Sequence, residues 1–146
     1  MDMNDILLSG EEEASFEEIE HTADWALHVR GKSIETLFRN AALGMLRLIR
    51  PIPRSGKTQT RTVRLTAVDN ETLLVAWLEE LLFNMETRNV TYTGIEIHSV
   101  ENCCLVAHVV EISLEKVTKE IKAVTFHDLN ISATREGFEA TVVFDV

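Results

Sequence analysis

Trp25, Leu27 and Val29 alternate with Ala26, His28 and Arg30, a period of two that predicts a half-buried strand, and residues 16 to 20 make a shorter one before it. Gly31-Lys32 then turns the chain. Ile34, Leu37, Phe38, Ala41, Met45, Leu48 and Ile49 follow at steps of three and four, behind Ser33 as an N-cap and Glu35 in the first turn. This predicts an amphipathic helix that Pro51 and Pro53 end, with Arg54-Ser55-Gly56 continuing as loop. Val63, Leu65 and Ala67 alternate with Thr62, Arg64 and Thr66 in the next strand.

Asp69 caps a second helix carrying Leu73, Leu74, Trp77, Leu78, Leu81, Leu82 and Met85. Val75, Ala76 and Phe83 widen its apolar face until little but Glu79, Glu80 and Asn84 is polar, so it should be central and largely buried. From residue 92 onward the pattern is nearly all strand, with Ser99-Val100-Glu101-Asn102 as a turn. The run from Cys103 to Leu114 is apolar on both parities through Val110, which suits a central strand covered on both faces, with Glu111 and Ser113 marking one parity becoming exposed. A strand over residues 123 to 133 and another over 138 to 146 are joined through Thr134-Arg135-Glu136-Gly137. In the last strand Phe138, Ala140, Val142, Phe144 and Val146 face one way, and Glu139, Thr141, Val143 and Asp145 the other.

Strands with two helices, then several consecutive strands, indicate an α+β fold with both helices packed on a mostly antiparallel sheet. Residues 1 to 15 read as a loose acidic leader, and residues 16 to 146 as a single domain. No apolar run reaches membrane-span length and no basic n-region opens the chain, so a soluble, cytoplasmic protein with no membrane partner is expected. Fourteen basic residues against 24 acidic ones give a net charge of −10, which argues against strong nucleic-acid binding through phosphates. Nine of the acids fall in the first 24 residues, where there is no Lys or Arg, and a basic protein partner fits that better than RNA.

The chemistry-bearing patterns are few. The six glycines form no phosphate loop or dinucleotide fingerprint, no Gly-x-Ser-x-Gly occurs, and the five histidines lack helical metal-pair spacing. His108 shares a parity with Val106 and Val110 and reads as a satisfied core histidine, while His28 and His98 read as surface residues. Adjacent on a strand, Cys103 and Cys104 would point to opposite faces, so they read as unbridged core thiols. What remains is His21-Thr22-Ala23-Asp24, the stretch from Lys122 to Asp128 around His127, and the final Asp145-Val146 with its side-chain and main-chain carboxylates. By spacing alone Asp24 is as well a turn or cap residue, and a terminal carboxylate is as well simply solvated.

Five segments in order resemble the archease family: Glu20-His21-Thr22-Ala23-Asp24; Gly31-Lys32 with Glu35, Phe38, Asn40-Ala41-Ala42 and Gly44-Met45; Leu73-Leu74 with Trp77-Leu78-Glu79-Glu80-Leu81-Leu82; Ile121-Lys122-Ala123-Val124-Thr125-Phe126-His127; and Val143-Phe144-Asp145-Val146. The resemblance runs from about Phe16 to the end. It implies strand-helix-strand-strand modules, one inserted in the other, and a non-catalytic accessory role toward the RtcB-type RNA ligase that seals tRNA halves during tRNA splicing. That role is to promote guanylylation of the ligase's active-site histidine and its multiple turnover, and to broaden its nucleotide triphosphate specificity. It also implies a divalent metal on Asp24, Asp145 and the terminal residue Val146. Where this chain has Trp25, the family often has a smaller aliphatic residue.

An all-oxygen anionic set suits Ca²⁺ first, with Mg²⁺ or Mn²⁺ as alternatives, better than Zn²⁺. His21, Lys122 and His127 are then expected to shape the site or touch the partner, in a protein expected to be monomeric. Two other readings stand beside this one. One is a small metal-dependent hydrolase with His21 or His127 as general base, and the other a chaperone-like protein-binding module working through its acidic leader.

Overall fold

The structure, a computed structural model, describes residues 15–20 and 24–146. Its elements are β1 (Ser15–Glu20), β2 (Asp24–Gly31), α1 (Ile34–Ile49), β3 (Pro51–Pro53), β4 (Gln59–Thr66) and α2 (Asn70–Arg88), then β5 (Val90–Glu101), β6 (Cys104–Val117), β7 (Ala123–Thr125), β8 (Ser132–Thr134) and β9 (Gly137–Asp145). The helices start where their caps place them. Ser33 Oγ accepts from the Thr36 amide at 3.1 Å, and Asp69 Oδ1 from the Thr72 amide at 2.7 Å, each satisfying one orphan donor of a first turn. Both end in a left-handed residue, Arg50 and Asn89.

Two antiparallel sheets enclose the helices. In the first, β2 lies between β1 and β9, and β7 and β8 pair with the other side of β9. In the second, β6 pairs with β4 and β5 and, near its C-terminal end, with β3. The consecutive unit β4-α2-β5-β6 is thus inserted between β2-α1 and β7 to β9, which is the α+β arrangement the order of elements predicts. Both helices touch both sheets. That explains why α1, amphipathic in sequence, is buried nearly all round, including Gly44 on the side of Leu27 and Phe16. The buried indole of Trp77 donates from Nε1 to the Phe38 carbonyl at 3.0 Å, joining α2 to α1, and the Tyr92 hydroxyl donates to the Leu81 carbonyl at 2.9 Å. Burial pushes the Tyr92 phenol well above its ordinary pKa.

Several expectations need correction. Strand β6 is central but covered on one face only: Leu105, Ala107, Val109 and Glu111 are buried, while the Val106, His108 and Val110 parity is half-buried. His108 is therefore on the outer face, within 3.1 Å of Thr62 Oγ1, and is not a core histidine. Glu111, expected at an exposed parity, is 2% exposed. Its carboxylate accepts from Arg88 at 2.8 and 3.0 Å and from Arg61 Nε at 3.1 Å, which offsets the cost of burying the charge. Asn84 is buried in the same network, bonded to Glu80 and Arg88, whereas Phe83, counted with the apolar face, is 60% exposed.

The β5–β6 turn falls at Asn102 and Cys103, both at positive φ, and strand β5 runs through Glu101. Cys103 is half-buried in that turn and Cys104 is exposed, so neither is a core thiol, and both are free. The strand expected over 123 to 133 is two short ones, β7 and β8, separated by a loop in which Phe126 is exposed and Asp128 is left-handed. The leader's residues 1–14 lie outside the described residues. No helix among the described residues is long and apolar enough to cross a membrane.

Candidate functional site

Antiparallel pairing sets the first sheet's register so that Asp24, the first residue of β2, stands directly opposite Asp145, the last of β9. Directly opposed residues share a face, with Cβ atoms about 5 Å apart, and like charges there are destabilising. Among the described residues neither carboxylate has an ion-pair partner. Their side chains alternate with Trp25 and Phe144, which form the next pair on the face toward the core. Phe144 is fully buried, and Val146 packs partly buried against the same core, so the chain beside Asp145 is anchored on both sides.

A third strand braces this end. Ala123 of β7 pairs with Asp145, and the Lys122 amide donates to the Asp145 carbonyl at 2.8 Å. The β7 edge is itself held by α2, since Glu79 Oε1 accepts from the Val124 amide at 2.9 Å. Sequence patterning placed Glu79 only among the helix's polar residues, and no local signal shows that it caps a strand 45 positions later. Above the sheet end, the Lys119 ammonium sits 2.9 Å from the centroid of the Trp25 ring, tying the β6–β7 connection to the residue after Asp24.

The named residues thus fall into three groups. Asp24, Asp145 and Val146 are brought together at one sheet end. Lys122 joins them through its backbone, with its side chain exposed. His127 is exposed beyond the opposite end of β7 from Ala123, its Nε2 3.3 Å from Asp128 Oδ2. His21 lies outside the described residues. Among the described residues no three His, Cys, Asp or Glu side chains form a metal-holding group. A cation here would rest on two side-chain carboxylates plus main-chain oxygen, a set whose chemistry fits a hard divalent ion.

Beside Lys122 a groove of about 350 Å³ runs between α2 and the end of β6, lined by Leu82, the exposed Phe83, Val117 and Ile121 together with charged residues of both signs, among them Lys116 and Glu120.

The family model described as the Archease protein family matches residues 16–146. The protein archease of Methanosarcina mazei is 34% identical over 145 residues, covering 90% of this chain and 95% of that protein. That of Saccharolobus islandicus is 30% identical over 137 residues, covering 90% and 99%. Two solved structures share the fold. The solution structure of Methanobacterium thermoautotrophicum protein 1598 has 26% identity and a TM-score of 0.64, covering 90% of this chain and 98% of that one. The crystal structure of a Thermotoga maritima archease, described as a possible chaperone, has 24% identity and a TM-score of 0.66, covering 88% and 94%.

Proposed function

Because the chain belongs to the archease protein family, we propose that it is a non-catalytic activator of the RtcB-type RNA ligase of tRNA splicing, acting from the cytoplasm as a monomer. In this reading it promotes guanylylation of the ligase's active-site histidine and repeated turnover, and broadens the nucleotide triphosphates accepted. The observation that carries the reading is the register pairing of Asp24 with Asp145 at a braced sheet end, with Val146 one residue on.

Asp24, Asp145 and Val146 would hold a divalent cation, Ca²⁺ before Mg²⁺ or Mn²⁺, through oxygens alone. A cation held there supplies concentrated positive charge to phosphate oxygens. The chain's own residues do the positioning. The β2–β9 register opposes the two carboxylates, Lys122 and Glu79 hold the flanking strand, and the Trp25–Phe144 pair anchors both strands in the core. Lys122 and, in the loop that follows β7, His127 are exposed and available to a partner.

The test is ligase guanylylation with GTP and limiting divalent metal, with and without this chain. Stimulation is expected from the wild type, and Asp24→Ala is expected to lower it at least about tenfold, as losing one charged ligand of a small site does. No stimulation by the wild type would overturn the assignment, and full stimulation by Asp24→Ala would overturn the metal part.

A second reading, a protein-binding module, is favoured by the groove with exposed Phe83 beside Lys122. The two differ in Phe83→Ser, which abolishes partner binding if the groove is the main contact and leaves metal-dependent stimulation intact if the sheet end is.

A further inference from the structure

At the other end of the β2–β9 pair, roughly 23 Å along the strands from Asp24 and Asp145, lies a cavity of about 510 Å³. It forms where β2 ends, α1 begins and the β8–β9 hairpin turns, and two glycines permit that close approach. A Cβ on Gly31 would collide with the Leu37 backbone, and one on Gly137, at φ 143°, with the Gly31 carbonyl. Asn40, 2% exposed, locks the junction by donating to the Arg30 carbonyl at 2.7 Å.

In a chain of net charge −10, three cations from two segments converge on this cavity: Arg30 and Lys32 at the end of β2, and Arg135 in the β8–β9 turn. Among the described residues Lys32 and Arg135 have no ion-pair partner. Among the described residues Arg30 reaches Glu139 alone, at 3.9 Å, and that carboxylate also lies 3.5 Å from His28. Glu136 is the second acid on the lining, and it sits exposed in the hairpin turn. The first turn of α1 borders the cavity through Thr36 and adds amide dipole of the same sign.

We propose that this cavity binds a phosphate-bearing small molecule, with Arg30, Lys32 and Arg135 as its anion contacts. Two guanidinium forks and an ammonium, from the end of β2 and from the β8–β9 turn, match a tetrahedral oxyanion better than a single carboxylate. The volume admits more than one phosphate group, within the usual range of small-molecule sites. The site is separate from the carboxylate end and does not depend on it.

The test is calorimetric titration of the full chain with inorganic pyrophosphate in EDTA, which silences any divalent site. Saturable one-site binding is expected, weakened about tenfold or more by Lys32→Ala/Arg135→Ala. A charge-matched control, Arg54→Ala/Lys57→Ala, removes two exposed cations from the loop between β3 and β4 and should leave the affinity within about twofold. All four residues are exposed, so unchanged circular dichroism is expected for both double variants. No saturation by pyrophosphate, or equal weakening in the two variants, would overturn the proposal.

Discussion

Replacing Trp77 by alanine is expected to lower the unfolding free energy by about 3–5 kcal/mol. The indole is 0% exposed, between two sheets, where little can move to fill the space it leaves. It is also a fixed link between the helices through its bond to the Phe38 carbonyl. At about 2–4 °C per kcal/mol for a chain of this size, the midpoint of thermal unfolding should fall by roughly 10 °C or more. Trp77→Phe keeps most of the apolar area and loses the hydrogen bond, so its cost should be about 1–2 kcal/mol. Denaturant titration of both variants checks this, and equal losses would mean that the lost hydrogen bond, rather than the cavity, sets the cost.

Glu111→Ala is expected to be comparably damaging, by about 3–5 kcal/mol, for a different reason. The carboxylate is 2% exposed and accepts three hydrogen bonds from Arg61 and Arg88, so truncation opens a buried space and takes the carboxylate from Arg88, while Arg61 keeps only Glu80, at 3.8 Å. Arg88, already held above its ordinary pKa chiefly by its hydrogen bonds to Glu111, stays charged and unpaired. Arg61→Ala alone should cost less, because Glu111 keeps its paired bonds to Arg88 and Arg61 is 27% exposed at its side chain. A double-mutant cycle over Glu111 and Arg88 should show strong coupling. An additive pair would mean that the network carries no net energy.

The contrast between these two sites shows what the sequence makes legible. Trp77 could be placed in the core because α2 repeats apolar residues at helical spacing behind a clear Asp69 cap, all within one turn-by-turn pattern. Glu111 could not. Its parity agrees with the buried Leu105, Ala107 and Val109, but a lone acid reads as exposed unless its partners are known, and these lie 50 and 23 positions away. The reverse error arose at Val106 and Val110, apolar residues on a half-buried outer face where β-branched side chains are simply good strand formers.

For the candidate site, the alternation of β2 and β9 was readable, and with it the side of the last strand that Asp145 occupies, whereas Asp24 read as a turn or cap residue ahead of the strand that it in fact begins. Their opposition was not, because it depends on β2 pairing with β9 across the whole inserted unit. It was the resemblance of His21-Thr22-Ala23-Asp24 and Asp145-Val146 to one family that put them in one site, and periodicity left them apart. The bracing by Glu79 and the Lys119 contact with Trp25 are tertiary events with no counterpart in local pattern.

Calcium titration of the purified chain, wild type against Asp145→Asn, is the most direct measurement on the sheet end. One site is expected in the wild type, weakened at least about tenfold when the amide replaces the carboxylate that faces Asp24, with no loss of fold. Equal affinity in the two proteins would contradict a cation site built on Asp24 and Asp145.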